Sequence, residues 1–175
     1  MMETGWILSM TKISNAMIIL IIMLNLAFDQ ISKIIVRNEV GNYEIIKLFG
    51  HWFTLTKVEN TGAFLSAGSA LPDLIRIILL SVFPIIFLAY GLYMLLVKRL
   101  MSNLQVVGWC FVIGGGTGNL YDRIVHGSVT DFLHLDLGLF QTGIFNLADV
   151  SIMIGMFIIL TGQFLYKKEE SLTLE

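Results

Sequence analysis

The chain has 175 residues, of which 56% are hydrophobic and only 14% charged, and its mean hydropathy is +0.81. A soluble domain carries about 25% charged residues, so this composition excludes an ordinary soluble fold and defines an integral membrane protein. The net charge of −2 leaves no basic stripe to meet phosphates, which excludes nucleic acid as a partner, and the single cysteine, Cys110, excludes a disulfide framework, a thiolate metal cluster and an N-terminal cysteine lipid anchor.

Four segments reach the ~20 residues that cross ~30 Å of hydrocarbon as helix. The first runs from about Asn15 to Val36. Lys12 ahead of its apolar core gives it the look of a secretory signal, but no small-x-small cleavage site follows and Asp29 and Lys33 interrupt it, so it reads as a mature span. In the next region, 38–72, Phe53 and Leu55 alternate with Thr54 and Thr56, the period-two pattern of a strand with one face buried. A small sheet on one membrane face is expected there. Trp52, Phe53 and Phe64 are expected either at headgroup depth or packed on the helix ends. The second span covers about Leu74 to Val97, the third about Leu104 to Ile124 after the short basic turn KRLMSN, and the fourth about Ile144 to Tyr166. No internal repeat, low-complexity segment or Pro/Gly-rich linker divides the chain, so residues 1–175 are expected to form one domain.

The positive-inside rule gives no orientation. Lys12, Lys98, Arg99, Lys167 and Lys168 lie on one side, and Lys33, Arg37, Lys47, Lys57, Arg76 and Arg123 lie toward the other. Four spans do require both termini to share a side.

Polar residues near the spans are where chemistry is expected, because a charge at a helix centre costs roughly 2.5 to 3.5 kcal/mol on insertion scales. In DQISK, Asp29 and Lys33 are four apart and can pair on one helix face. In GNLYDRI, Asn119 stands three before Asp122 and four before Arg123, and in FNLAD, Asn146 stands three before Asp149. In an up-down bundle these helix ends fall on one side, together with VENTGAF and VTDFL.

The ordered blocks DQISK, VENTGAFLS, GGGTGNLYDRI, VTDFL and FNLAD, covering about Asn25 to Gly155, closely resemble those of bacterial lipoprotein signal peptidase, the type II signal peptidase. The resemblance implies an all-α membrane protein with four transmembrane helices and a small extracytoplasmic β-sheet between helices 1 and 2, set in the bacterial inner membrane with both termini cytoplasmic. It implies a monomeric aspartyl peptidase with no cofactor and no metal, among membrane phospholipids. Its substrates would be diacylglyceryl-modified prolipoproteins, cut just before the modified cysteine near the outer face. Carried over by motif, the catalytic pair is Asp131 of VTDFL and Asp149 of FNLAD, and Asn60, Asn119, Arg123, Asn146, Asp29 and Lys33 lie around the substrate. Where many members read N-x-G-A-A-F, this chain reads Asn60-Thr61-Gly62-Ala63-Phe64, one alanine shorter, which bears on the local loop geometry.

The chemistry has its own footing. Two neighbouring carboxylates cannot easily both ionise, so one keeps a proton while the other takes one from the attacking water. The pair titrates as a unit, which leaves both role assignments open. Asn146 could orient a carboxylate or hold substrate backbone, and Arg123 could face lipid phosphate or ester.

Each of these residues also has a plainer reading. Asp29 with Lys33 is equally a structural ion pair, Asp122 a structural partner of Arg123, and Asp73 and Asp136 solvated or capping residues. Asp131 and Asp149 could be helix-end caps, since Asp favours a first helical turn. GGGTGN lacks the Lys-Ser/Thr of a phosphate loop and suits close helix packing. His51, His126 and His134 lack ligand spacing with any Cys or Glu, against a zinc protease. The competing class is a small proton-coupled transporter, since intramembrane Asp, Lys and Arg also mark proton paths, but the polar groups gather at one end of the helices and no repeat symmetry is present.

Overall fold

The structure is a computed structural model that describes residues 12–41, 44–48, 52–63, 68–98 and 101–173, the last nine of these as backbone only. His51, Phe64 and Arg99, and the side chains of Lys167 and Lys168, lie outside the described residues.

Helix α1 (Asn15–Glu39) starts where the Ser14 hydroxyl accepts the Met17 N–H and ends at Val40, whose backbone is extended. Its surface is inverted relative to a soluble helix. Phe28, Ile31, Ile34 and Ile35 are exposed while Asp29 and Lys33 are buried, the distribution expected when lipid and not water surrounds the protein. Helix α2 (Asp73–Lys98) contains wide turns at Ile78–Val82 and Met94–Lys98. The first of these precedes Pro84. There the Phe83 N–H bonds Ile78 O, five residues back, which accommodates a proline that has no N–H and would crowd the previous turn.

Helix α3 (Asn103–His126) opens on a reciprocal Ser102–Gln105 capping box and closes at Gly127, where φ is 76°, a conformation that costs glycine nothing. It is the centre of the molecule, with extensive packing on helix α4 (Leu147–Thr173) and on α1. Glycines make this possible. A Cβ on Gly108 would lie 2.8 Å from Gly155 O, and one on Gly114 would lie 2.6 Å from Asn25 Cβ, so the backbones meet where a side chain would not fit.

Strands β1 (Ile46–Lys47), β2 (Phe53–Asn60) and β3 (Val129–Leu135) form one antiparallel sheet in the order β1-β2-β3. This corrects the expectation of a sheet confined to the region between the first two spans, because β3 comes from the α3–α4 connection. Val58 pairs with Asp131 and Asn60 with Val129, after an irregularity between Leu55 and Val58. The sheet is seated by Val36, Val40 and Phe132, with Ile46, Leu55, Leu133 and Leu147 packed on them. Burial of Phe132 alone is worth roughly 1.5–3 kcal/mol and pins the strand that carries Asp131.

Phe145 then exchanges backbone hydrogen bonds with Leu133 at 2.8 Å in both directions. Because Phe145 is used in this pairing, α4 begins at Leu147 and not at Ile144, and Asn146 and Asp149 arrive beside β3.

Among the described residues, three helices are long and apolar enough to cross a membrane: Asn15–Glu39, Asp73–Lys98 and Leu147–Phe164. Helix α3 falls short on composition because ten of its residues, including Gly114, Gly115, Asn119 and Asp122, face protein and not lipid.

Candidate active site

Asp131 and Asp149 meet at the junction of the sheet and the helix ends. They come from different elements, β3 and the first turn of α4, which the Phe145–Leu133 pairing holds together. Three asparagines surround them. Asp131 accepts from Asn60 Nδ2 at 2.8 Å and from Asn146 Nδ2 at 2.6 Å. Asp149 accepts from Asn119 Nδ2 at 2.9 Å and from the Asn146 backbone N–H at 3.2 Å.

The amide orientations are forced by groups that can only donate. Asn60 Oδ1 accepts the Gly62 N–H at 2.9 Å, Asn146 Oδ1 accepts the Asp149 N–H at 3.0 Å, and Asn119 Oδ1 accepts Lys33 Nζ at 2.8 Å. Each asparagine has therefore committed its oxygen elsewhere and turns its NH₂ to a carboxylate. Asn146 and Asp149 also form a reciprocal cap at the start of α4. Asp149 is thus a first-turn cap of α4 that also lines the cavity described below.

Asn60, Asn119, Arg123, Asn146 and both aspartates line a cavity of about 10 Å³, close to what one water molecule needs. Arg123 borders it with its Nη atoms bonded to Gly62 O at 2.9 Å and Asn119 O at 3.2 Å. Its Nε is buried with no hydrogen-bond partner among the described residues. Asp131 is 4% exposed. Burial pushes its carboxyl up to about 6; the amide of Asn60 opposes the rise, the Asp149 carboxylate adds to it, and Asn146 and Lys33 pull down again.

Two residues expected to face the substrate lie elsewhere. Asp29 and Lys33 are fully buried beneath the cavity and committed to protein partners. Lys33 Nζ lies 2.8 Å from Asp29 Oδ2 and 2.8 Å from Asp122 Oδ2, and Asp29 Oδ1 accepts the Ala148 N–H at 2.9 Å, capping α4. Asp122, expected as the partner of Arg123, pairs instead with Lys33 and with Arg37, the latter at 3.1 Å. The reason is direction: positions 122 and 123 point to different sides of α3, and Asp122 turns toward α1.

Arg37, Gln30 and Thr130 were not foreseen as part of this network. Gln30 Nε2 reaches Asp29, Gly118 O and Asp122, and Arg37 Nε bonds Thr130 Oγ1 at 2.7 Å. Arg37 carried a usable signal, since it stands four after Lys33 and eight after Asp29 on one helix face.

Apolar helices that bring a pair of amide-held carboxylates to a water-sized cavity define a membrane-embedded enzyme. Residues 17–165 match the family described as signal peptidase (SPase) II. The chain is 39% identical over 126 residues to the lipoprotein signal peptidase of Wigglesworthia glossinidia brevipalpis, covering 69% of this chain and 78% of that protein. It is 30% identical over 146 residues to the lipoprotein signal peptidase of Syntrophus aciditrophicus, covering 83% and 91%. Two solved bacterial membrane enzyme structures share the fold. One has a TM-score of 0.79 at 24% identity, covering 90% of this chain and 93% of that one. The other has a TM-score of 0.75 at 26% identity, covering 86% and 94%. The chain belongs to the signal peptidase II family, and is a membrane-embedded protease.

Proposed function

We propose that this protein is an aspartyl endopeptidase that removes signal peptides from bacterial prolipoproteins, cutting just before the diacylglyceryl-modified cysteine. The observation that carries this reading is the pairing of Asp131 and Asp149 beside a water-sized cavity, each carboxylate held by two N–H donors. One carboxylate takes a proton from water as the water oxygen attacks the scissile carbonyl carbon. The other gives its proton to the carbonyl oxygen. When the C–N bond breaks, the proton taken from water passes to the leaving amine. Asn60, Asn146 and Asn119 hold the carboxylates, and Arg123 is the cation available to substrate carbonyl or lipid ester oxygen.

In this reading all four helices cross the bacterial inner membrane, α3 shielded from lipid by its neighbours. The chain works as a monomeric single domain among phospholipids, with both termini cytoplasmic and the sheet and dyad at the outer face.

The test is cleavage of a diacylglyceryl-modified prolipoprotein by purified protein, with Asp131→Asn and Asp149→Asn compared after a folding check. Each substitution is expected to lower kcat by about 10²–10⁴-fold, the usual worth of a general acid or base. The double variant should lose little more, because the pair acts as a unit. Near-full activity in either folded variant would remove the dyad assignment.

A further inference from the structure

Lys33 is 0% exposed, outside the cavity and far too enclosed to touch substrate. We propose that Lys33 is a positioning residue for the dyad: its ammonium, which can only donate, holds the oxygen of Asn119 and so obliges Asn119 to present its NH₂ to Asp149. The inference rests on the aspartyl-peptidase reading above.

A side-chain amide can turn over by 180° with almost no change in shape, so its neighbours decide its polarity. Lys33 Nζ lies 2.8 Å from each of three acceptors: Asp29 Oδ2, Asp122 Oδ2 and Asn119 Oδ1. The contacts with Asp29 and Asn119 are hydrogen bonds, and the one with Asp122 is a close charge contact. Turning Asn119 over would set its NH₂ against the ammonium and its oxygen against the Asp149 carboxylate, two repulsive contacts in place of two hydrogen bonds. Asn146 Nδ2, 3.1 Å from the same oxygen, opposes the flip as well. Asp29 and Asp122 fix the ammonium in turn, and Arg37 completes the neutralisation of Asp122 at 3.1 Å.

Asp131 also accepts two amide N–H groups, so what sets the two carboxylates apart is the place of Asp149 at a helix start. Asp149 receives the Asn119 N–H and stands in the first turn of α4, where positive backbone dipoles favour charge. Asp149 is then the carboxylate that takes the proton from water, and Asp131 the acid that gives its proton to the carbonyl oxygen. The charged groups facing this relay are Asp29, Lys33 and Arg37 on α1, Asp122 and Arg123 on α3, Asp131 on β3 and Asp149 itself.

The pH dependence of kcat/KM on lipidated prolipoprotein tests this with wild type, Lys33→Met, Asn119→Leu and the double variant. In Lys33→Met the acidic limb should move upward by about one pH unit, because the ionised pair loses a directed donor. On the acidic limb, at pH values below both midpoints, activity should fall about tenfold for that displacement, with KM little changed. In the Asn119→Leu background the same substitution should move the limb no further, since the relay is already gone. An unmoved limb in Lys33→Met, or displacements that simply add in the double variant, would overturn the relay; a purely structural loss would lower activity equally at every pH. Wild type that fails to cleave would be the failure of the peptidase reading instead. Should Lys33→Met not fold, the wild-type protein still decides. The Asn119 side-chain ¹⁵NH₂ resonance should follow the titration of the dyad and shift in Asp149→Asn, and an Asn119 NH₂ indifferent to both would sink the proposal.

Discussion

Asp131 owes its altered acidity to burial, and the sign of that change makes a pH prediction at the scale of one residue. Its carboxyl is pushed up to about 6 from an ordinary 3.8, so the folded protein holds the proton more tightly than the unfolded chain does. The resulting stabilisation is present in full below pH 3.8 and is lost as pH rises through about 6, amounting to roughly 3 kcal/mol across that window. Thermal unfolding of wild type should therefore show a midpoint that falls between pH 5 and pH 7.5, and Asp131→Ala should show a flatter dependence; equal slopes would contradict it. The alkaline limb of kcat/KM should lie near pH 6 for the same reason. Much of this scale was legible in the sequence. The short ordered blocks named both aspartates, the three asparagines and Arg123. They could not tell a residue that faces the cavity from one that supports it, because Asp29, Lys33 and Asn119 belong to the same polar surface and only depth separates their roles. Gln30 stayed hidden because nothing in its neighbourhood requires a long amide to bridge to α3.

The helices meet through glycine, and this makes a prediction at the scale of elements. A Cβ on Gly155 would fall 2.5 Å from Gly108 O and 2.9 Å from Val112 N. Both are backbone atoms that cannot swing aside, so Gly155→Ala must push α4 off α3. Overpacking of this kind costs about 1–3 kcal/mol, and the displacement is carried along the rigid helix to Asp149. Gly155→Ala should lower the unfolding midpoint and also kcat. Gly162→Ala is the control, since its nearest neighbour would be Leu104 Cδ2 at an ordinary 3.4 Å; it should leave both close to wild type. If the two variants behave alike, close backbone approach is not what positions α4. Helix existence was easy to read from hydropathy and β2 from its alternation. Strand β3 was not foreseen, because in VTDFLHL the first four residues are all buried, Asp131 included, which erases the in-out alternation of a strand with one wet face. The late start of α4 was invisible for a related reason: the backbone of Phe145 is taken by Leu133, a partner twelve residues away.

Across the whole molecule the polarity is turned inside out. Apolar side chains such as Phe83, Phe157 and Phe164 point outward, while Asp29, Lys33, Asp122 and Asn146 lie within. Helix α3 belongs to that interior, which is why its composition falls short of an obvious span although its 24 residues measure about 36 Å at 1.5 Å each, enough for ~30 Å of hydrocarbon. Whether α3 crosses therefore turns on where its two flanks lie. Lys98 is exposed just before α3, and Leu139 is fully exposed between α3 and α4. Lys98→Cys and Leu139→Cys are suited to labelling with a membrane-impermeant maleimide, because the native Cys110 is buried and gives no background in the folded protein. In intact spheroplasts Leu139→Cys should label and Lys98→Cys should label only after the membrane is opened. Labelling of both from one side would mean that α3 does not traverse the bilayer, and a reversed pattern would put Asp131 and Asp149 on the cytoplasmic side, where a peptide already carried across the membrane could not reach them.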